Sequence, residues 1–343
     1  MVSEAIILAG GFGTRLVPLT YNKPKSLLPV LNRPIISYVI NSLPEVVEKI
    51  VVAANYKEDL LKRFFEENEF EREIIINKEP KPLGTGGAVK FAEKYITDSF
   101  FVINGDVLSS LDINEMISFH EKNRADATIS LYRVEDVKDF GVVSIDKNKI
   151  KRFIEKPKVE DVPSNLINAG TYLMELDILD YMERGEFYSM EEDVFPKLIE
   201  DGKNFYGFEI EGYWIDIGRI ENYLEANKML LDISKKKNLI GKESVVYGKL
   251  NKTVVGDNVY IGRNSVINES VIHNNVNIGD HVEIEKSIIG EGCDVGKNSY
   301  LFNVVVGDDE IIKDNSFIEC TSVWNKKIPS NYPKEQIGNV SKR

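Results

Sequence analysis

The stretch LAGGFGTRLVPLTYNKPKSLLPV, residues 8–30, sets Gly10, Gly11, Gly13, Arg15 and Lys25 directly behind the apolar run Ala5-Ile6-Ile7-Leu8. Glycines let main-chain N–H groups approach an anion, an arginine adds a planar fork and a lysine a point charge, so the pattern outlines a polyphosphate site. Read alone, it fits equally a strand-to-loop turn with solvated cations. Two aspartates close apolar runs, Asp106 in VINGD and Asp216 in YWIDIG. Carboxylates so placed can hold Mg²⁺, which bridges phosphate oxygens during phosphoryl or nucleotidyl transfer, although Asn104-Gly105-Asp106 alone is an ordinary turn. A second glycine-rich turn, EPKPLGTGGAV (79–89), leads into a helical pattern. A dinucleotide fingerprint is excluded because Leu16 stands where its third glycine belongs and Pro18 and Pro24 keep the chain extended. A Walker loop is excluded by the lack of Gly-Lys-Ser/Thr.

Leu8 to Thr20 and Pro24 to Val30 follow L-A-G-G-x-G-T-R-L-x-P-L-T and P-K-x-L-x-P-V without a gap. The stretch therefore resembles the signature of sugar-1-phosphate nucleotidyltransferases. FGVV (140–143), EKP (155–157) and NAG (168–170) match that family's sugar-binding segments in order and spacing. The resemblance implies that Leu8, Ala9, Gly10, Gly11, Gly13, Thr14, Arg15 and Lys25 contact a nucleoside triphosphate, with Leu83, Gly84 and Thr85 reading its base. It implies Gly105 and Asp106 at the nucleotide site, with Asp106 and Asp216 ligating Mg²⁺. Gly141, Glu155, Lys156, Asn168 and Gly170 would receive the sugar phosphate, Lys156 pairing with its phosphate group. Arg15, Lys25, Asp106, Lys156 and Asp216 are the expected catalytic set. The PLGTGGA form looks more like guanylyltransferases acting on mannose 1-phosphate or heptose phosphates than like thymidylyltransferases, which favours GTP. The alternatives are a glucose-1-phosphate thymidylyl- or uridylyltransferase and a non-catalytic regulatory subunit that binds sugar nucleotides.

The expected mechanism follows from charge. A phosphate monoester has its second pKa at about 6, so a sugar 1-phosphate is largely dianionic at neutral pH and needs no protein base. Its oxygen attacks the α-phosphorus in line, and pyrophosphate leaves. His120, His273 and His281 lie far in sequence from the glycine-rich stretch, with no evident partner.

The elements that must position these residues are legible as patterns. Apolar runs at Ala5 to Leu8, Ile50 to Ala54, Ile74 to Ile76, Phe100 to Ile103 and Ala127 to Leu131 alternate with helical stretches near 34–43, 57–68, 86–94 and 112–122. Such alternation predicts an α/β fold, a Rossmann-like, mainly parallel mixed sheet with ligands at the carboxyl ends of its strands. Residues 140–217 read as antiparallel or mixed additions, with helical patterns at 175–184 and 190–200, and a helix over 219–233 closes a nucleotidyltransferase domain of residues 1–233. Lys235-Lys236-Lys237 marks a linker, 234–243.

Beyond it TVVG (253–256), SVIH (270–273), SIIG (287–290) and VVVG (304–307) recur every 17 residues, with an inner apolar beat of about six. That periodicity predicts a parallel β-helix over 244–322, each coil one residue short of 18 at a corner. It resembles the left-handed hexapeptide-repeat β-helix of acyltransferases and of many nucleotidyltransferases, which implies a stacking and homo-oligomerisation module, with acetyl transfer as the other possibility. The tail, 323–343, reads as partly extended. A net charge of −12 argues against nucleic-acid binding. The lack of a long apolar run or leader pattern predicts a cytoplasmic protein without a membrane segment. Cys293 and Cys320 fit no metal spacing and read as reduced packing thiols.

Overall fold

The computed structural model describes residues 2–329 and Tyr332. The chain divides into two compact units, Met1–Gly11 with Ile36–Ile215, and Phe12–Ile35 with Asp216–Arg343.

The first unit is built on one nine-stranded sheet. Its strands are β1 (Glu4–Leu8), β2 (Lys49–Ala54), β3 (Glu73–Lys78), β4 (Phe100–Asn104), β5 (Ala127–Arg133), β6 (Gly141–Asp146), β7 (Lys149–Glu155), β8 (Leu166–Met174) and β9 (Phe205–Glu209). They lie in the order β3-β2-β1-β4-β8-β5-β9-β7-β6. The half from β3 to β4 is parallel, so the segments that follow β1, β2, β3 and β4 leave at one edge. β8 enters antiparallel between β4 and β5, β9 runs parallel to β5, and β6–β7 is an antiparallel pair. The helices of this unit are α1 (Ile35–Ser42, whose first residue falls in the second unit), α2 (Glu58–Glu67), α3 (Gly84–Ala92), α4 (Ile113–Asn123) and α5 (Phe195–Glu200). Ile6, Val51, Val102 and Ile129 are fully buried with Val89 of α3 and Leu198 of α5. Each such side chain is worth about 1.5–3 kcal/mol relative to exposure, which is why these strands read as continuous apolar runs.

Two expected helices take other forms. Residues 176–181 make a 3-10 turn. Residues 190–194 form a single π turn, capped by Ser189 accepting from the N–H groups of Glu191 and Glu192, before α5 begins. The stretch around Pro18 and Pro24 is likewise not simply extended. It holds 3-10 turns at Thr14–Leu16 and Lys25–Leu27, the first entered through Gly13 at φ 66°.

In the second unit, helix α6 (Ile220–Ile233) precedes a stack of parallel strands, consistent with a β-helix. Val254 pairs with Val271, Val271 with Ile288 and Ile288 with Val305, each a step of 17 residues. Val255, Ile272, Ile289 and Val306 make one buried column, Ile261, Ile278, Val295 and Ile312 a second, and Ile267, Ile284 and Leu301 a third. Corners fall at Lys252, Asn258, Asn264 and Glu269, all at positive φ, so the sides take six, six and five residues and one corner is short. Asparagine recurs at corners, at Asn275, Asn298, Asn303 and Asn315, because its short polar side chain tolerates the left-handed conformation. His281 and Cys320 are corner residues of the same kind. Cys320 is therefore exposed rather than packed, whereas Cys293 is buried, and both are free thiols. Burial pushes the Cys293 thiol up to about 12.

The strand Phe317–Val323 closes the described stack on Tyr300–Val306. Of the tail expected to be extended, residues 330, 331 and 333–343 lie outside the described residues. No helix among the described residues is long and apolar enough to cross a membrane.

Candidate active site

In the first unit the glycine loops sit at the carboxyl edge of the parallel strands. Ala9 N–H donates to Ala53 O at 2.9 Å and Gly105 N–H to Leu8 O at 2.9 Å, so the segments after β1, β2 and β4 are tied together. Gly105 has no room for a side chain, since a Cβ there would meet Leu8 O at 2.8 Å. Asp106 follows it, half-buried. Glu79, buried at the end of β3, accepts from Leu83 N–H at 3.2 Å, and its other oxygen would lie 3.2 Å from a Cβ on Gly10. It thus stands between the two glycine-rich turns, and burial pushes its carboxyl above the usual range, with the Leu83 N–H working the other way.

The second turn, Leu83 to Gly87, is laced to residues 186–190. Tyr188 N–H donates to Leu83 O at 3.0 Å, while Gly86 and Gly87 N–H both donate to Tyr188 O, at 2.8 and 3.1 Å. A Cβ on Gly84, at φ 75°, would fall 2.4 Å from that same carbonyl oxygen. Glycine here answers a close approach of backbone. Thr85 Oγ1 accepts from Met190 N–H at 2.9 Å and donates to Glu191 Oε2 at 2.6 Å.

Glu191 links that turn to the expected sugar segment. Tyr172 OH donates to Glu191 Oε1 at 3.2 Å and accepts from Asn168 Nδ2 at 2.9 Å. Asn168 Oδ1 in turn accepts from Gly170 N–H at 3.1 Å, and Gly170, at φ 80°, lies against Asn104. Burial, then the Glu191 charge, hold the Tyr172 phenol well above its ordinary pKa, so it stays a donor. Glu155 lies against Gly141, where a Cβ would meet its Oε2 at 2.8 Å. Burial pushes the Glu155 carboxyl up, the Lys156 ammonium at 3.0 Å pulls it down, and Glu191 and Glu192 push it up again. Lys156, at φ 44°, is largely exposed.

The structure thus brings Leu83, Gly84 and Thr85 together with Asn168 and Gly170 through Glu191 and Tyr172, and sets Glu155, Lys156 and Gly141 side by side. Glu79, Tyr172 and Glu191 were not singled out from sequence. The glutamate opening EPKPLG was a visible signal for Glu79, whereas Glu191 sits in an acidic run with nothing to distinguish it.

The second unit gathers the remaining expected residues. Gly13 caps the turn that carries Thr14 and Arg15, and a Cβ on it would meet Thr20 Cγ2 at 2.8 Å and Lys25 Cβ at 3.2 Å. Lys25 Nζ lies 3.7 Å from Asp216 Oδ1. Asp216 Oδ2 and Arg15 Nη2 flank Gly218, 2.6 and 3.0 Å from the position of a Cβ there. Asp216 thus lies beside Lys25 on one side and shares with Arg15 the space that Gly218 leaves by lacking a side chain.

Among the described residues no three His, Cys, Asp or Glu side chains are grouped to hold a metal ion by themselves. Mg²⁺ suits this chain in another way, because it is commonly held by one or two carboxylates plus substrate phosphates and keeps its waters. Asp106, half-buried after Gly105, is one such carboxylate of the first unit, and Asp216 one of the second. The histidines are placed elsewhere and, contrary to the sequence expectation, each has a partner, His281 Nε2 lying 3.5 Å from Asn264 Nδ2. His120 bonds Thr128 Oγ1 and Glu175, and His273 Nε2 lies 3.0 Å from Tyr223 OH.

Residues 4–233 match the family described as nucleotidyl transferase. The chain belongs to the nucleotidyl transferase family. Residues 233–337 match the GMPPB C-terminal domain. The bifunctional protein GlmU of Methanococcus maripaludis is 37% identical over 272 residues, 77% of this chain and 61% of that protein. A probable mannose-1-phosphate guanylyltransferase 1 of Oryza sativa subsp. japonica is 37% identical over 243 residues, 68% of this chain and 66% of that one. The match thus spans less than two thirds of either relative. Among solved structures, HddC from Yersinia pseudotuberculosis has a TM-score of 0.57 at 31% identity, covering 67% of this family member and 100% of HddC.

Proposed function

We propose that the chain transfers a nucleotidyl group from a nucleoside triphosphate to a sugar 1-phosphate, giving an NDP-sugar and pyrophosphate, and that GTP and mannose 1-phosphate are its substrates. Family membership supports the reaction class, and a relative named as a mannose-1-phosphate guanylyltransferase supports the sugar. The observation that carries the base is Glu79. Its carboxylate, an acceptor-only group, is buried between the two glycine turns with Leu83 N–H as a donor. Guanine presents two adjacent donors, N1–H and its 2-amino group, which a carboxylate takes together. Uracil and thymine present one N–H between two carbonyls that a carboxylate repels.

In this reading Arg15 and Lys25 hold the triphosphate and Lys156 holds the acceptor phosphate. Asp106 and Asp216 would hold Mg²⁺, which would supply positive charge against the nucleotide's phosphates. Asn168, held by Tyr172, and Glu155 orient the sugar hydroxyls. The acceptor is already ionised, so no side chain has to remove a proton. The new bond joins the sugar phosphate oxygen to the α-phosphorus, and the bond broken releases pyrophosphate. The protein's contribution is alignment of two anions and stabilisation of the charge that spreads between them.

The test pairs GTP, dTTP, UTP, CTP and ATP with mannose, glucose and heptose 1-phosphates in the presence of Mg²⁺ and measures pyrophosphate. GTP with mannose 1-phosphate should be fastest. Glu79→Gln should lower the preference for GTP over UTP by about 5- to 100-fold, the range expected for a lost bidentate base contact. Preference for dTTP or UTP in the parent protein would reject the base assignment. No pyrophosphate from any pair would leave a non-catalytic binder.

Self-association through the coiled unit is supported by Tyr300 stacked on Phe317 at 5.0 Å, with Phe317 and Ile311 each 70% exposed. Light scattering giving a monomer would reject it.

A further inference from the structure

We propose that Tyr332 is a positioning residue for the loop that carries Arg15 and Lys25, an inference that rests on reading this loop as the triphosphate holder. Tyr332 lies some three hundred residues beyond the loop yet is 2% exposed within the same compact unit. Its hydroxyl is 3.3 Å from Thr20 Oγ1 and 3.4 Å from Phe12 O. Its ring meets Tyr21 edge-on at 4.9 Å and Phe12 at 6.3 Å. Trp324, from the same late segment, packs on Tyr21 at 5.1 Å.

Thr20 passes this contact on. Its side chain is fully buried and donates to Gly13 O at 2.9 Å. Because that proton is committed to Gly13, the phenol proton of Tyr332 is the one shared between Thr20 Oγ1 and Phe12 O. Gly13 O also accepts from Leu16 N–H at 2.9 Å, closing the turn on which Arg15 sits. The Thr20 methyl and Lys25 Cβ both crowd the α-carbon of Gly13, which a side chain could not occupy. A displacement of Thr20 therefore moves Gly13, and with it the backbone of both cations. The loop has only two short 3-10 turns and a two-residue ribbon, Pro29–Val30 with Arg33–Pro34, as regular structure of its own. Phosphate recognition asks for placement within about 0.5 Å, which a loop so built has to obtain from its surroundings.

The coils grip the same loop elsewhere. Lys23 Nζ lies 3.1 Å from Glu291 and 3.5 Å from Asp308, and Asn32 Nδ2 donates to Val255 O at 2.7 Å. Those contacts anchor its later part, whereas Tyr332 reaches the segment from Phe12 to Tyr21. The inference is thus specific to Tyr332 and Thr20: they set the cations, and their loss should be felt by the triphosphate and not by the acceptor.

The experiment measures KM for GTP and for mannose 1-phosphate separately, GTP binding by calorimetry, and melting temperature. The proteins are the full chain, Tyr332→Leu, Tyr332→Phe, Thr20→Val and the Tyr332→Phe/Thr20→Val pair, with the exposed Phe317→Ala as control. Tyr332→Leu should raise KM and Kd for GTP about 10-fold and leave KM for the sugar phosphate within about twofold. Tyr332→Phe, which keeps the ring and loses one shared hydrogen bond, should come back to within about threefold of the parent. A Kd for GTP within twofold in Tyr332→Leu overturns the inference, as does a rise in both KM values that merely follows the melting temperature. Should Tyr332→Leu fail to fold, the double variant decides: fold-losses that multiply independently overturn the inference, and a smaller combined loss sustains it. If the parent protein turns over no pair of substrates, the functional reading fails instead, and the calorimetric comparison still reports on Tyr332.

Discussion

Acidification should loosen the second unit through one imidazole. His273 stands in the second of the 17-residue tetrads, buried, with Nε2 on Tyr223 OH at 3.0 Å. Tyr223 OH itself donates to Pro29 O, so His273 Nε2 carries the proton as donor and Nδ1 is left a bare acceptor, buried without a hydrogen-bond partner. Burial, with Lys23 adding to it, pushes the imidazole down from 6.5 to about 3. A histidine whose folded pKa is lowered gives stability that is full above 6.5 and is lost as pH falls, because the unfolded chain takes up a proton that the folded chain refuses. A pH of 5 lies one and a half units below the unfolded imidazole's 6.5 and well above the folded value, so at about 1.4 kcal/mol per unit the loss is about 2 kcal/mol.

His273→Gln removes the titration and keeps an N–H for Tyr223. Guanidinium unfolding of both proteins at pH 7.5 and pH 5 isolates the effect. Asp308, whose carboxyl burial pushes up, and Lys23 are present in both, so their contributions cancel. The parent should be the more stable at pH 7.5, and the gap should shrink by about 2 kcal/mol at pH 5. A gap unchanged to within about 0.5 kcal/mol, or an imidazole resonance of His273 titrating above pH 5, would refute the reasoning.

Other outcomes follow from the site. Tyr172→Phe removes a bond to a carboxylate and one from an amide, both partners half-buried, and should cost about 2 kcal/mol and about 4–8 °C in melting temperature. The accompanying rise in KM for the sugar phosphate should exceed that for GTP. Gly84→Ala meets Tyr188 O at 2.4 Å from a left-handed φ, so at least about 3 kcal/mol should be lost in chemical unfolding, and a loss under about 1 kcal/mol would mean the two segments do not touch. Lys25→Ala and Asp106→Ala should each lower turnover by orders of magnitude while circular dichroism stays unchanged; near-normal rates would remove them from the catalytic set.

What the sequence made legible was local. The run before Gly10 is a strand because Ile6 and Ile7, successive residues of a parallel strand, are both fully buried, which leaves no alternation to misread. The coil period was visible because stacking repeats the same inward demand at Val255, Ile272 and Ile289. Glu191, Tyr172 and Tyr332 were not, since their roles come from partners far along the chain, Thr85 for Glu191 and Thr20 for Tyr332, and no short-range pattern marks such a pairing. Nor does any local signal tell that residues 12–35 are compact with the coils, a fact carried by bonds such as Asn32 Nδ2 to Val255 O at 2.7 Å. The helix expected over 175–184 became a 3-10 turn, one of the outcomes that propensity alone does not separate.

The coil stack also constrains how this chain can change length. Glu291 and Asp308, which share Lys23, are one 17-residue step apart, and Val255, which receives Asn32, lies two steps before Ile289. Insertion of a whole coil after Val306 would carry Asp308, Trp324 and Tyr332 one layer of about 4.8 Å away from Lys23, Tyr21 and Thr20, and leave only Glu291 and Val255 in place. The same coil placed between Val255 and Glu291 would separate the holds on Asn32 and Lys23 by an added layer of about 4.8 Å, and a loop nine residues long between them would have to choose one. The number of coils is therefore set by the loop that they and the segment after them hold.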